Sequence, residues 1–326
     1  MHTITAITHL GTTGASITSA GASAPSRSWL QTHGRHYLKT FKHYVSSPRW
    51  LAMYLTGRFA PCRAVAVRMF PRATPIADDP LDPFAGVSAS RMAETLKADG
   101  FAPGLQLPAE TCAALRRFAE GHVCYGDGDP AKEFTLENRE VAERVHGKRF
   151  LLGRYYESSD QCETIRRIER SPTLRRIAAL YTGARPIHIG SRMWWSFAGE
   201  STEVDKVRSG QGFHWDLDDY RALTFFFYLT EVTPDSGPHV VVRGSHERKK
   251  LRHIWSLTKS RAEAELRAYY GDDRFVELCG PAGFGFAENT FTFHKGSAPR
   301  NRDRLLLQVR FGIQDFGTAT DRKPAA

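Results

Sequence analysis

The chain has 326 residues and a formal net charge of +10, with 45 lysines and arginines against 35 aspartates and glutamates. Its 41% apolar and 25% charged content excludes a disordered chain, and the lack of any run of about 18 apolar residues argues against a membrane-spanning helix. Five scattered cysteines without a CxxC pair argue against a disulfide framework and a thiolate zinc site, and favour a reducing compartment.

The positive charge lies at the N-terminus. Residues 1–77 contain nine basic residues and no acidic one, so the remaining 249 residues are nearly neutral. Residues 1–26 lack lysine and arginine and are rich in Thr, Ser, Ala and Gly, which predicts a disordered lead and not a secretory signal. A composition rich in Ser and Thr and free of acidic residues also resembles an organelle transit peptide, but the absence of basic residues before Arg27 disfavours that alternative. We therefore expect a cytoplasmic protein.

Residues 27–77 are predicted to form a basic amphipathic helical extension. Apolar side chains recur at helical spacing from Trp29 to Val45, and the pattern resumes at Trp50 after an interruption at Ser46-Ser47-Pro48. One interpretation is that the aromatic face packs on the body of the same chain. The alternative is that the extension contacts a membrane surface, an acidic carrier protein or another subunit, which would give peripheral membrane association.

Residues 78–326 are predicted to form one globular domain. The proline-rich stretch Pro71–Pro83, where the charge changes, is interpreted as a linker or an extended wrap. Helices are predicted at Arg91–Leu96, Pro108–Cys124 and Ser171–Tyr181, and a strand at Phe150–Tyr156.

After Ala184 the sequence predicts short strands separated by Gly, Pro, Asp and Asn, which is typical of a sandwich or barrel. A helical insert is predicted at about Ile254–Tyr270. The predicted strands are Ile187–Phe197, Ala222–Leu229, His239–Val242, Phe275–Leu278, Phe284–Ala287, Thr290–His294 and Leu305–Ile313.

Two histidines and one carboxylate are the candidate metal ligands. On an extended segment His214 and Asp216 point to the same side, and His294 ends a later predicted strand. Such a set can form the facial triad of non-haem Fe(II) oxygenases, which leaves three positions for a bidentate 2-oxo acid and dioxygen. Asp218 and Asp219 are rival carboxylates. The competing interpretation is that His214 and Asp216 belong to a surface turn.

A 2-oxo acid such as 2-oxoglutarate has a second carboxylate that needs a cationic partner, and arginine suits that role because it donates two parallel hydrogen bonds. Arg304 follows His294 by ten residues, at the start of an apolar strand, and is the first candidate. Arg302 and Ser297 are weaker alternatives. His239 and His246 flank a predicted strand and are interpreted as turn and strand-end residues. Arg300 and Arg310 also lie nearby in the sequence and compete for the anchoring role.

At this point the sequence resembles the phytanoyl-CoA dioxygenase family of Fe(II)- and 2-oxoglutarate-dependent oxygenases, over roughly Met92 to Gly312. The likeness includes Phe213-His214-Trp215-Asp216, and the stretch from Asp235 to His246 that contains Gly244-Ser245-His246. It also includes His294-Lys295-Gly296-Ser297 running on to Arg304. Arg243 stands where the family usually has proline, and the extension before Ala77 lies outside the pattern.

The resemblance implies a mainly β fold with a double-stranded β-helix (jelly-roll, cupin-like) core and flanking helices. It implies His214, Asp216 and His294 as iron ligands, Arg304 as the 2-oxoglutarate anchor, and Fe(II), 2-oxoglutarate and O2 as cofactor and co-substrates. The implied reaction is oxidation of an unactivated C–H bond of a small-molecule or acyl-type substrate in secondary metabolism. Because Asp216 is present, hydroxylation is favoured over halogenation.

The expected partner is a small-molecule substrate and not a nucleic acid, since the body is nearly neutral and no nucleic-acid motif is found. The alternative to an oxygenase is a cupin-like metal protein or binding module, which would not need Arg304. Candidate walls of the substrate pocket are Arg192, Trp194, Trp195 and Tyr155, and for each of them the competing interpretation is packing in the core.

Overall fold

Two antiparallel sheets organise the part of the chain that the computed structural model describes, which is residues 47–199, 211–256, 259–317 and 321–323. The strands in chain order are β1 (Phe101–Gln106), β2 (Cys124–Gly126), β3 (Glu133–Phe134), β4 (Leu152–Arg154), β5 (Ile187–Ser196), β6 (Leu223–Tyr228), β7 (His239–Val242), β8 (Phe275–Leu278), β9 (Phe284–Glu288), β10 (His294–Gly296) and β11 (Arg304–Gly312). The larger sheet has the order β1-β9-β6-β11-β5-β4-β2-β3, and the smaller has the order β10-β7-β8.

Helix α8 (Pro172–Thr182) shows how residues at both ends define a helix. Helix α8 begins after Ser171, whose side-chain oxygen accepts a hydrogen bond from the Leu174 amide at 3.2 Å, and it ends at Gly183 in the left-handed conformation. The helices are α1 (Pro48–Thr56), α2 (Ala60–Arg68), α3 (Ala89–Asp99), α4 (Ala109–Gly121), α5 (Arg139–Val145), α6 (Ser158–Gln161), α7 (Glu163–Arg170), α8 (Pro172–Thr182), α9 (Leu251–Trp255) and α10 (Glu263–Tyr270). Within the described residues no helix is long and apolar enough to span a membrane.

Alternation along the central strands divides the core into two layers. On β11, Leu305, Leu307 and Val309 join the larger cluster that packs against helices such as α3, α4 and α8. Leu306 points to the other face and joins a second cluster, together with Phe286 of β9 and residues of the smaller sheet. The two sheets therefore face each other and enclose an inner layer, which confirms the predicted jelly-roll core, although among the described residues no continuous ladder closes it into a barrel.

Two predicted elements differ from the structure. The expected strand Thr290–His294 is a turn up to its last residue, because the side chain of Asn289 accepts a hydrogen bond from the Phe291 amide at 3.1 Å and the Thr292 amide donates to the Asn289 carbonyl at 2.8 Å. The expected single helix Ile254–Tyr270 is two helices, α9 and α10. The other strands predicted after Ala184 are present within one or two residues of their expected ends.

The described part of the N-terminal extension packs on the chain's own body. Residues 49–326 form one compact unit. This unit contains helix α2 and all of helix α1 except its first residue, Pro48. Arg58, between the two helices, is only 6% exposed and donates hydrogen bonds to the carbonyls of Ile254 (2.8 Å) and Ser256 (3.2 Å). Residues 1–46, including the rest of the predicted extension, lie outside the described residues, so docking through them stays a prediction.

The proline-rich stretch is an extended wrap held by one buried carboxylate. Asp82 accepts hydrogen bonds from the Ser171 hydroxyl at 2.8 Å and from the Thr173 amide at 2.9 Å. Both donors lie at the start of α8, where the helix dipole favours a negative charge. Asp82 also accepts from the Phe84 amide at 3.2 Å, so a single side chain joins the wrap to the helix layer.

We expect Asp82→Asn to lower the free energy of unfolding by about 1–3 kcal/mol, because hydrogen bonds to a charged acceptor are lost at a buried site. For a domain of this size that corresponds to a fall in Tm of about 3–10 °C, measured by thermal unfolding. The matched control is Asp79→Asn, since Asp79 is exposed and its side chain accepts only from the Leu81 amide. Equal melting temperatures for the two variants would contradict this role of Asp82.

Candidate metal centre

A short backbone bridge brings the two candidate histidines together. The His214 amide donates to the His294 carbonyl at 2.9 Å, and the His294 amide donates to the His214 carbonyl at 2.8 Å. Two residues further, the Asp216 amide donates to the Thr290 carbonyl at 2.7 Å. These bonds fix the register of the two segments, so their side chains converge.

One ligand atom from each of His214, Asp216 and His294 lies within 4.8 Å of the others. The Asp216 Oδ2 atom is 4.0 Å from the His214 Nε2 atom and 3.7 Å from the His294 Nε2 atom. The side chain of Asp216 is 39% exposed and that of His214 is 24% exposed, whereas His294 is buried. The cluster therefore opens toward solvent on one side, where further ligands of an ion can enter.

The tautomers of both histidines suit a metal. Nδ1 of His214 lies 2.9 Å from the Gly212 carbonyl, and Nδ1 of His294 lies 2.9 Å from the Thr292 carbonyl. Since a carbonyl oxygen only accepts, each Nδ1 carries the proton and each Nε2 presents its lone pair toward Asp216. The donor set therefore fits a divalent cation such as Fe(II), which binds imidazole and carboxylate together.

The charge states of the cluster also suit a metal. Loss of hydration opposes the charged form of Asp216, but His214, His294 and Lys259 outweigh it and lower the pKa of Asp216 to about 2. Burial lowers the pKa of His294 to about 4. At neutral pH the cluster thus offers an ionised carboxylate and a neutral imidazole, which are the ligand forms a metal needs.

A buried pair that the sequence analysis did not select lies behind His294. The Oε1 atom of Glu288 is 3.2 Å from Nδ1 of His294, and Oε2 is 2.7 Å from Nε2 of His239. The ring of His239 stacks on that of His294, with centroids 5.3 Å apart. Burial raises the pKa of Glu288 to about 7 and lowers that of His239 to about 3. The signal in the sequence was an ionisable residue at the end of the apolar stretch Phe284–Glu288.

Arg304 is buried beside the cluster without an acidic partner. Its guanidinium donates to the Gly237 carbonyl and, at 3.2 Å, to the Ser196 hydroxyl, while Nε has no hydrogen-bond partner. Gly296, two residues after His294, leaves the space that Arg304 occupies, because a Cβ there would lie 3.2 Å from Nη2. Within the described residues no carboxylate forms an ion pair with Arg304, and a buried cation of this kind suits an incoming anion.

The alternatives to Arg304 lie elsewhere. Arg302 is exposed and pairs with Glu231 at 3.1 Å, and Arg300 is exposed and pairs with Asp235 at 3.4 Å. Ser297 lies on the segment after β10, where its amide donates to the Pro238 carbonyl at 2.9 Å.

The rival carboxylates also have other partners. Asp218 pairs with Arg310 at 3.0 Å. Asp219 accepts hydrogen bonds from the backbone amides of Tyr220, Ile313 and Gln314. Both carboxylates are therefore already bound within the protein.

The four candidate pocket residues divide between the two faces of the larger sheet. Arg192 and Trp194 alternate with buried residues on β5 and face the inner layer. Trp195 and Tyr155 lie on the opposite face, where Nε1 of Trp195 donates to the Tyr155 hydroxyl at 3.0 Å and that hydroxyl donates to the Ala119 carbonyl of α4. The structure therefore places Trp195 and Tyr155 in the core beneath the helices and not in a substrate pocket.

Comparison with known proteins gives one family match. The model of the phytanoyl-CoA dioxygenase (PhyH) family matches residues 98–304. No curated protein sequence matches the chain significantly.

Several solved structures are similar at low identity. EctD from S. alaskensis with bound Fe is 18% identical, covering 79% of this chain and 92% of its own, with a TM-score of 0.48. HygX from Streptomyces hygroscopicus with nickel and 2-oxoglutarate bound is 14% identical, covering 68% and 86%, with a TM-score of 0.47. The α-ketoglutarate-dependent epimerase SnoN from nogalamycin biosynthesis is 17% identical, covering 68% and 80%, with a TM-score of 0.44.

We expect His214→Ala to weaken binding of a divalent metal by on the order of a hundredfold or more, because one of three protein ligands is lost. The measurement is an anaerobic titration of the metal-free protein with Fe(II) or Co(II), followed by calorimetry. The control is His188→Ala, since His188 is exposed on β5. Unchanged metal affinity in His214→Ala, or an equal loss in both variants, would contradict the assignment of the cluster.

Proposed function

The chain belongs to the phytanoyl-CoA dioxygenase family, and from this premise we propose that it hydroxylates an unactivated C–H bond of a small molecule with Fe(II), 2-oxoglutarate and dioxygen. The iron and 2-oxoglutarate, when bound, supply the oxidation of that bond, coupled to decarboxylation of 2-oxoglutarate to succinate. The protein's own residues hold these groups, orient them and control access of water to the site.

His214, Asp216 and His294 would hold the iron. The carbonyls of Gly212 and Thr292 keep each imidazole in the tautomer whose Nε2 is free, and the backbone bridge sets the spacing of the two rings. Retention of the Asp216 carboxylate supports hydroxylation over halogenation, because halide binding needs a ligand position that this carboxylate would fill. Hydroxylation is thus the reaction that the donor set favours.

Arg304 would bind the carboxylate of 2-oxoglutarate that is remote from the metal. Its burial without an acidic partner in the described residues is the observation that carries this proposal, since ionising a guanidinium in an apolar setting is costly unless an anion compensates it. A cupin-like metal protein that does not use a 2-oxo acid has no need for such a buried cation beside Gly296, two residues after the ligand His294. The same observation therefore favours the oxygenase over that alternative.

The test combines anaerobic binding with turnover. The full-length protein is titrated with Fe(II) and 2-oxoglutarate without oxygen, and the metal-to-ligand charge-transfer band is recorded. Oxygen is then admitted and succinate is measured. If the protein forms no charge-transfer band and releases no succinate, with or without candidate substrates, it is not an oxygenase of this class.

We expect Arg304→Gln to weaken 2-oxoglutarate binding by at least about a hundredfold while leaving metal affinity unchanged, because two charge-assisted hydrogen bonds of roughly 1.5–3 kcal/mol each are lost. The measurement is the half-saturation of the charge-transfer band, with metal binding titrated separately. Arg302→Gln is the matched control, since Arg302 is exposed and pairs with Glu231. If Arg304→Gln also lost the metal, or bound 2-oxoglutarate normally, its role as the anchor would be wrong.

A further inference from the structure

The inner face of the larger sheet is partly exposed next to the candidate metal ligands. On β5, Met193 and Trp195 are buried against the helix side, while Arg192 and Trp194 on the opposite face keep partial exposure. Strand β5 pairs with β11 on one side, and β4 on the other side pairs only with Trp194–Ser196, so Trp194 is partly exposed although strands flank it on both sides. The inner face therefore borders a space that solvent can enter.

Two polar side chains on this face have atoms without hydrogen-bond partners among the described residues. Arg192 and Gln308 lie directly opposite each other on β5 and β11, so their side chains are neighbours. Arg192 forms no hydrogen bond or ion pair within the described residues, and its Nε is shielded from solvent. The Oε1 atom of Gln308 is also buried without a partner. Unpaired buried polar groups are costly, which indicates that a ligand completes them.

Arg192 has no acidic partner among the described residues. Burial, then the neighbouring Arg310 and Arg154, lower the pKa of Arg192 to about 9. Asp218 pairs with Arg310 at 3.0 Å, and no described carboxylate pairs with Arg192. An anionic ligand can therefore become the partner of the Arg192 guanidinium.

The pair lies well apart from Arg304 along β11. Gln308 is four residues beyond Arg304 on β11, which is about 13 Å at a rise of about 3.3 Å per residue. The five-carbon chain of 2-oxoglutarate spans only about 5 Å between its terminal carbons at bond lengths near 1.5 Å. Arg310, two residues beyond Gln308 on the same face of β11, pairs with Asp218 of the segment that carries Asp216, so this part of the inner face lies toward the candidate metal ligands.

Resting on the oxygenase function above, we propose that Arg192 and Gln308 bind the carboxylate end of the substrate, a small monoanionic acid with an O–H or N–H group beside its carboxylate. The guanidinium donates two hydrogen bonds to the carboxylate, and Oε1 of Gln308 accepts one from the neighbouring O–H or N–H. Trp194, next to Arg192 on the same face, contacts the apolar remainder of the molecule. This arrangement holds the C–H bond to be oxidised toward His214 and Asp216.

The test uses the full-length protein loaded anaerobically with Fe(II) and 2-oxoglutarate. The probes are 2-hydroxy and 2-amino acids with short and medium apolar chains, each paired with its neutral methyl ester. Binding is followed by the change in the charge-transfer band. We expect at least one acid to bind at least tenfold more tightly than its ester. Arg192→Leu should weaken that acid by about 10- to 100-fold and leave the ester and 2-oxoglutarate unchanged.

Matched variants separate recognition from folding. Arg192→Lys should recover part of the affinity, Gln308→Leu should lose about tenfold, and Arg302→Leu, at an exposed position, should behave as wild type. Absence of any acid binding, equal binding of acids and esters, or unchanged acid binding by Arg192→Leu would overturn the proposal. If Arg192→Leu loses 2-oxoglutarate instead, Arg192 belongs to the co-substrate site and only this inference fails. If the wild-type protein forms no charge-transfer band, the proposed oxygenase function itself is wrong.

Discussion

The paired backbone hydrogen bonds between His214 and His294 are the constraint on which the site depends. They join the segment of His214 to the first residue of β10, 80 residues later in the chain, through an isolated bridge. Because side chains alternate along extended backbone, a slip of one residue would turn an imidazole away from the cluster. Strands β6 to β9 lie between these segments in the chain, and the pairing of β10 with β7 places His294.

The second constraint is electrostatic, since the inner layer holds ionisable groups at a cost to stability. Glu288 and Arg304 are almost fully buried. Glu288 lies beside His294, and Arg304 lies beside Gly296. A core optimised only for stability would replace them with apolar residues of similar volume. Their retention, in a layer otherwise filled by side chains such as Phe226 and Phe286, indicates that the interior is arranged for ligands at the expense of stability.

The sequence predicted the strands well where the pattern was local. Runs such as Leu223–Tyr228 and His239–Val242 are apolar and bounded by turn residues, so their limits follow from composition. The spacing of His214 and Asp216 likewise anticipated two side chains on one face. The turn before His294 was missed because it depends on a side-chain hydrogen bond of Asn289 to the backbone, which an alternating pattern does not reveal.

Tertiary relations account for the other differences. The register between β5 and β11 decides which face of β5 meets the helices. The sequence of β5 alone does not reveal that register. Trp194 and Trp195 are therefore indistinguishable in the sequence, although one faces the inner layer and the other packs beneath α4. For the same reason the sequence analysis missed Glu288 and interpreted His239 only as a strand-end residue, because the role of each depends on the approach of His294.

The described part of the basic N-terminal extension also packs against the segment that carries the candidate metal ligands. Trp215, between two candidate ligands, is fully buried on the side away from the metal cluster, and Phe291 packs on it with ring centroids 4.9 Å apart. Arg63 of α2 lies over Phe291 at 4.5 Å, and Arg58 lies over Trp215 at 5.9 Å. Part of the N-terminal charge therefore supports the back of the ligand segment through cation–π contacts. A truncation that removed α1 and α2 would disturb the site through this packing, so a resulting loss of activity would not by itself show docking to a membrane or carrier.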